Sequence, residues 1–186
     1  MGATPASPAI DHAPDPEPDR DPAELARDIC LRLLAARPRT RAELATALRR
    51  KGIADDVATE VLERYDEVGL IDDAAFARAW VSSRHHGRGL ARRALANELR
   101  QRGVESEVVG EALEGLDADT EAATARAMVD RRLRTMGRVA PEAAYRRLVG
   151  MLARKGYPAS VAYRVVRDAL AARGADIEEL GDELTD

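Results

Sequence analysis

Leu44-Ala45-Thr46-Ala47-Leu48-Arg49-Arg50-Lys51-Gly52-Ile53 ends in a basic residue, a glycine and an apolar residue, and the chain repeats that ending twice more. The later copies are Arg102-Gly103-Val104 and Lys155-Gly156-Tyr157, with glycines 51 and 53 residues apart. With the glycines in register, Leu44, Leu95 and Leu148 align eight positions before them, and Leu48, Leu99 and Leu152 four before. Ala45, Ala96 and Val149 align between those leucines, seven before the glycine. Val57, Val108 and Val161 follow five positions after; Val61, Ala112 and Val165 nine after; Leu62, Leu113 and Val166 ten after. Such spacing is that of one apolar helix face, and agreement at this many offsets marks an internal repeat.

Outward from the glycine, each copy reads as three helices. The second ends at the glycine, which suits the left-handed position just beyond a helix C-terminus. Its start in the first copy, Thr40-Arg41-Ala42-Glu43, has capping-box spacing. Asp55 and Ser106 are expected to cap the third helices of the first two copies, and Pro158 precedes the third start near Ala159–Ser160. The first helix carries Leu25, Ile29 and Leu33, then Phe76, Trp80 and Val81, then Met128, Val129, Leu133 and Met136. Asp72 or Asp73 is expected to cap the second of these and Asp119 the third. No run alternates at period two, and no hairpin dipeptide appears. The expected fold is all-α: three tandem three-helix repeats, residues 22–71, 72–117 and 118–173, stacked as an elongated, curved, solenoid-like body.

The flanks differ in composition. Residues 1–22 hold six of the nine prolines; residues 1–21 are expected to be an acidic, disordered tail, and residues 174–186 form a second acidic tail. The net charge of −4 hides this division: residues 24–173 hold 28 basic and 22 acidic residues and so carry +6. A basic body between acidic tails is compatible with a polyanionic partner. Of the 29 basic residues only Lys51 and Lys155 are lysine.

Chemistry is sparse. Cys30 is the one cysteine, which excludes an internal disulfide and a cysteine-rich zinc site. No Walker loop, HExxH or GxSxG pattern occurs, and adjacent His85 and His86 diverge on a helix. Neither cofactor nor metal is expected, nor any catalytic residue. No apolar run reaches membrane-spanning length, and the expected setting is the cytoplasm. Asp72–Asp73 reads as a helix cap after Gly69-Leu70-Ile71, Phe76 and Trp80 as a packed i, i+4 pair, and the tyrosines as packing residues with wet hydroxyls. Lys51, Arg102 and Lys155 suit the negative end of a helix dipole. The arginines remaining form the candidate binding surface. Arg84 and Arg88 flank His85-His86-Gly87 and Arg92 follows; Arg93 and Arg100 share a face, as do Arg147 and Arg154; Arg131, Arg134 and Arg138 follow helical spacing. They suit phosphate or acidic protein surface.

The segment Gly69-Leu70-Ile71-Asp72-Asp73-Ala74-Ala75-Phe76-Ala77-Arg78-Ala79-Trp80, followed by Arg84, Gly89, Leu95, Glu98-Leu99 and Arg102-Gly103-Val104, resembles the RecX regulatory proteins of bacteria. The likeness extends over about residues 22–173, with the outer repeats matching in pattern. It implies a non-enzymatic, monomeric modulator of RecA that lies along the groove of the RecA–DNA filament. Such a protein depresses strand exchange and coupled ATP hydrolysis, in DNA repair, recombination and the SOS response. Weak binding to single- or double-stranded DNA would accompany this. A sequence-nonspecific DNA-binding protein of helix-turn-helix-like units, or a helical scaffold for another acidic protein, would share the same basic body.

Overall fold

The computed structural model describes residues 21–137 and 139–174. Among them are nine helices and no strand: α1 (Pro22–Ala36), α2 (Arg41–Arg50), α3 (Asp55–Glu67), α4 (Asp73–Arg88), α5 (Arg92–Gln101), α6 (Ser106–Ala112), α7 (Ala118–Arg134), α8 (Pro141–Arg154) and α9 (Ala159–Ala171). Both sequence tails, apart from Asp21 and Gly174, lie outside the described residues, as does Arg138.

The helices pack in successive threes, each with its own core, the third completed by Ala91 from the start of α5. Leu44, Leu48, Val61 and Leu62 lie at the centre of the first, with Ala26, Ile29 and Cys30 from α1. Leu95, Leu99, Val109 and Leu113 fill the second, and Leu148, Leu152, Val165 and Val166 the third. The repeat-aligned leucines before each glycine are wholly buried, as the apolar periodicity requires. Burial pushes the Cys30 thiol up to about 11, so it stays a protonated packing group.

Each second helix ends the same way. The N–H of Ile53, Val104 and Tyr157 donates to the carbonyl of Leu48, Leu99 and Leu152, at 3.2, 3.1 and 3.2 Å. The N–H of Gly52, Gly103 and Gly156 donates to Arg49, Arg100 and Ala153, at 3.0, 2.9 and 3.0 Å. This is a Schellman motif, with the glycine left-handed at φ +78°, +77° and +89°.

Several helix starts differ from the sequence expectation. Asp72 caps α4, accepting from the Ala75 N–H at 2.7 Å, but α7 is capped by Asp117 rather than Asp119. Asp117 accepts from the Thr120 N–H at 2.7 Å, and that hydrogen bond holds its carboxyl below the usual range. Asp55 and Ser106 are the first helical residues of α3 and α6; the capping positions are Ala54 and Glu105, with no side-chain cap bond. The reversal after the preceding glycine sets where these helices begin, so the best capping residue is not the one in place.

Candidate functional site

The three units meet at two junctions built on one plan. At each, the C-terminal corner of a second helix rests on the N-terminus of the preceding unit's second helix. At the first, the Thr40 hydroxyl donates to the Arg102 carbonyl at 2.7 Å. At the second, the Ala91 N–H donates to the Lys155 carbonyl at 2.9 Å. Thr40 and Ala91 are the N-caps of α2 and α5, so a carbonyl left over at one helix end is satisfied at another helix's start. The corner glycines allow this approach. A Cβ on Gly103 would lie 2.3 Å from the Ala42 Cβ, and one on Gly156 would lie 2.8 Å from the Ala94 nitrogen.

Side chains lock both contacts. At the first junction the Arg102 guanidinium pairs with Glu43 and stands 3.9 Å from the Trp80 ring centroid. Arg84 stands 4.1 Å from the same centroid and pairs with Glu98 at 3.6 Å. The Trp80 Nε1–H donates to Glu98 at 2.8 Å, and the ring stacks on Phe76. The aromatic pair is therefore the floor of a cation-lined junction, not a fully buried core pair. Thr40 accepts from the Glu43 N–H at 3.1 Å, but Glu43 turns to Arg37 and Arg102 instead of closing the capping box. Asp73 accepts from the Arg41 N–H at 2.9 Å; burial raises its carboxyl above the usual range.

At the second junction Lys155 Nζ donates to the Arg88 carbonyl, and the Tyr157 hydroxyl donates to the Gly89 carbonyl at 3.2 Å. Burial, with the Glu121 charge, pushes Tyr157 up to about 12. Buried His85 has Nδ1 at 2.9 Å from the Leu90 carbonyl and Nε2 at 2.9 Å from the Thr124 hydroxyl. A carbonyl only accepts, so Nδ1 donates to Leu90, while Nε2 is hydrogen-bonded to the Thr124 hydroxyl. Tyr157 and Tyr65, which bonds the Arg27 carbonyl at 3.3 Å, thus have protein partners in place of the expected water.

Three clefts open along these junctions. The first, about 620 Å³, is lined by Arg37, Arg39, Arg50, Lys51, Arg100 and Arg102, with Glu43 as the carboxylate. The second, about 440 Å³, holds Arg93, Asn97 and Arg154 beside Tyr157 and Tyr163. The third, about 540 Å³, holds Arg88, Arg131, Arg132 and Lys155. Among the described residues, the second and third have no carboxylate in their linings.

The arginines singled out in the sequence divide among these places. Arg93 and Arg154 share the second cleft, Arg88 and Arg131 the third, and Arg100 faces the first. Arg93 and Arg100, two turns apart on α5, open onto different clefts. Arg84 is engaged with Trp80 and Glu98, and Arg92 donates to the Leu113 carbonyl at 2.5 Å, closing the end of the second unit. Arg134 and Arg147 are exposed outside these three linings. Sequence reasoning missed Arg37, Arg39, Arg50 and Arg132; helical spacing carries no signal for a cleft drawn from separate units. Arg102 and Lys155, read as helix-end cations, fasten the junctions as well.

Three family models match along the chain. The first three-helix domain of RecX matches residues 26–64, the second 72–113 and the third 119–166. The chain belongs to the RecX family. Its relatives include the regulatory protein RecX of Streptomyces coelicolor, 58% identical over 167 residues, covering 90% of this chain and 89% of that one. That of Thermobifida fusca is 58% identical over 153 residues, covering 82% and 83%. Among solved structures, RecX from Lactobacillus salivarius superposes with a TM-score of 0.71 at 16% identity, over 80% of this chain and 96% of that one. A second crystal structure, of a regulatory protein RecX, superposes with a TM-score of 0.66 at 22% identity, over 80% and 72%. The all-α tandem-repeat fold and the RecX family membership inferred from the middle repeat both hold. No helix among the described residues is long and apolar enough to cross a membrane.

Proposed function

We propose that this RecX-family chain binds the RecA–DNA filament as a cytoplasmic monomer and depresses RecA's strand exchange and ATP hydrolysis. Supporting this, among the described residues Arg93 with Arg154 and Arg88 with Arg131 make no ion pair and lie in clefts lined by no carboxylate, at the junction of the last two units. Arginine suits contact with acidic protein surface or phosphate, since its planar fork meets either with two hydrogen bonds. The chain modulates by occupying the filament and performs no chemistry itself.

The test is RecA-catalysed ATP hydrolysis on single-stranded DNA, titrated with parent and variants. Arg93→Glu with Arg154→Glu should raise the half-inhibitory concentration about tenfold or more, with helicity unchanged, because the side chains are exposed and the charge reverses. Inhibition equal to the parent's by the folded double variant rules out that surface. A parent that leaves hydrolysis untouched at excess rules out the function. A second reading, sequence-nonspecific DNA binding, rests on the same cations. Steeply salt-dependent binding to bare duplex, with no preference for the filament, would favour it.

A further inference from the structure

The first cleft is unlike the other two in having a donor with nothing to meet. Arg39 stands between Pro38 and the cap residue Thr40. Its Nε is shielded from solvent and has no hydrogen-bond partner among the described residues. Among the described residues, Arg50 and Lys51 make no ion pair or side-chain hydrogen bond either, and Arg37 and Arg102 both turn to Glu43. Six cations thus face one carboxylate that is already shared. A shielded guanidinium N–H without an acceptor is costly and calls for a partner, and a bound anion is one that the surrounding cations would also accept.

We propose that this cleft is a binding site for a run of phosphates, held by Arg39, Arg50 and Lys51 with Arg100 at its rim. The cations come from three separate segments: the link between α1 and α2, the end of α2, and the end of α5. Donors converging from several segments suit a phosphate, whose oxygens point in several directions. A carboxylate offers two oxygens in one plane and is met by a single fork. More than one phosphate is required to balance the excess charge. The backbone of a nucleic-acid strand and a free oligophosphate offer the same chemistry. The site stands on its own geometry, whether or not the chain acts on RecA.

Trp80 is the chain's one tryptophan, and Arg102, which lines the cleft, stacks on it, so its emission reports occupancy. The full chain is titrated with sodium tripolyphosphate and, separately, with a short oligothymidylate, with calorimetry as a second reading. A saturable response is expected, weakened about tenfold by Arg39→Gln and separately by Arg50→Gln, and unchanged by Arg164→Gln on α9. Saturation by tripolyphosphate alone assigns a free oligophosphate; by oligothymidylate alone, a strand; by both, a site that reads phosphates without bases. Each supports the proposal. Should neither probe saturate in calorimetry, or should folded Arg39→Gln and Arg50→Gln bind like the parent, the proposal is overturned.

Discussion

Gly52, Gly103 and Gly156 hold the same left-handed backbone but meet different surroundings. Nothing lies within 4 Å of a Cβ built on Gly52, which has no preceding unit to rest on, whereas Gly103 and Gly156 press on Ala42 and Ala94. Gly52→Ala should therefore cost only the left-handed strain, about 1–2 kcal/mol. Gly103→Ala should cost about 1–3 kcal/mol beyond that, because the Ala42 Cβ cannot rotate away. Adding Ala42→Gly should return part of the excess at Gly103 and nothing at Gly52. Chemical denaturation of the four variants checks the ordering, and equal costs at Gly52 and Gly103 would remove the junction from the explanation. Tyr157 gives a second reading of burial, through pH. Its folded value of about 12 lies above the ordinary 10, so ionisation is easier in the unfolded chain. The corresponding stability is intact below pH 10 and is lost as pH rises through 12, by up to about 2–3 kcal/mol. Tyr157→Phe gives up the bond to the Gly89 carbonyl, about 1 kcal/mol at neutral pH. In return its stability should fall less steeply over that alkaline range. Urea melts at stepped pH distinguish the two slopes; parallel curves would mean that Tyr157 ionises freely in the fold.

At the scale of the helices, what sequence could show was what is local. Apolar spacing around three glycines located α2, α5 and α8 and the cores beneath them, because burial and helical period act within one element. The Asp72 cap was legible for the same reason: carboxylate and recipient N–H are three residues apart. The starts of α3, α6 and α7 were read less well, since chain reversal before the helix competes with capping preference. The clefts were legible only in part. Arg93 and Arg154 were each visible as an exposed face residue, but their meeting depends on how α8 rests against α5. Arg39 carried no signal; it lies in the four-residue link between α1 and α2, directly after Pro38, and its significance comes from Arg50, Lys51 and Arg100 standing nearby. Arg92 shows the opposite case, an apparent surface cation whose fork closes two carbonyls of its own unit, at 2.5 and 3.3 Å.

For the whole molecule, the division into three cores matters more than the total area buried. Leu152, wholly buried, belongs to the third core, while Trp80 packs in the second and reports on the first junction. Units that touch through one hydrogen-bonded corner and a few side chains transmit stability as neighbours in a row do. Leu152→Ala leaves a cavity in the third core and should cost that unit about 2–5 kcal/mol. With so narrow a junction, the loss should fall mainly on α7, α8 and α9. In a denaturant titration, helicity followed by circular dichroism should then begin to fall well before Trp80 emission changes, and the two curves should separate further than in the parent. Hydrogen exchange should show the same boundary, with early opening from α7 onward and α4–α5 still protected. If dichroism and Trp80 emission remain superimposed in Leu152→Ala, the junctions couple the three cores into one cooperative unit. The corner contacts at Gly103 and Gly156, with the hydrogen bonds and the Arg102–Glu43 pair around them, would then be strong enough to bind the units into one.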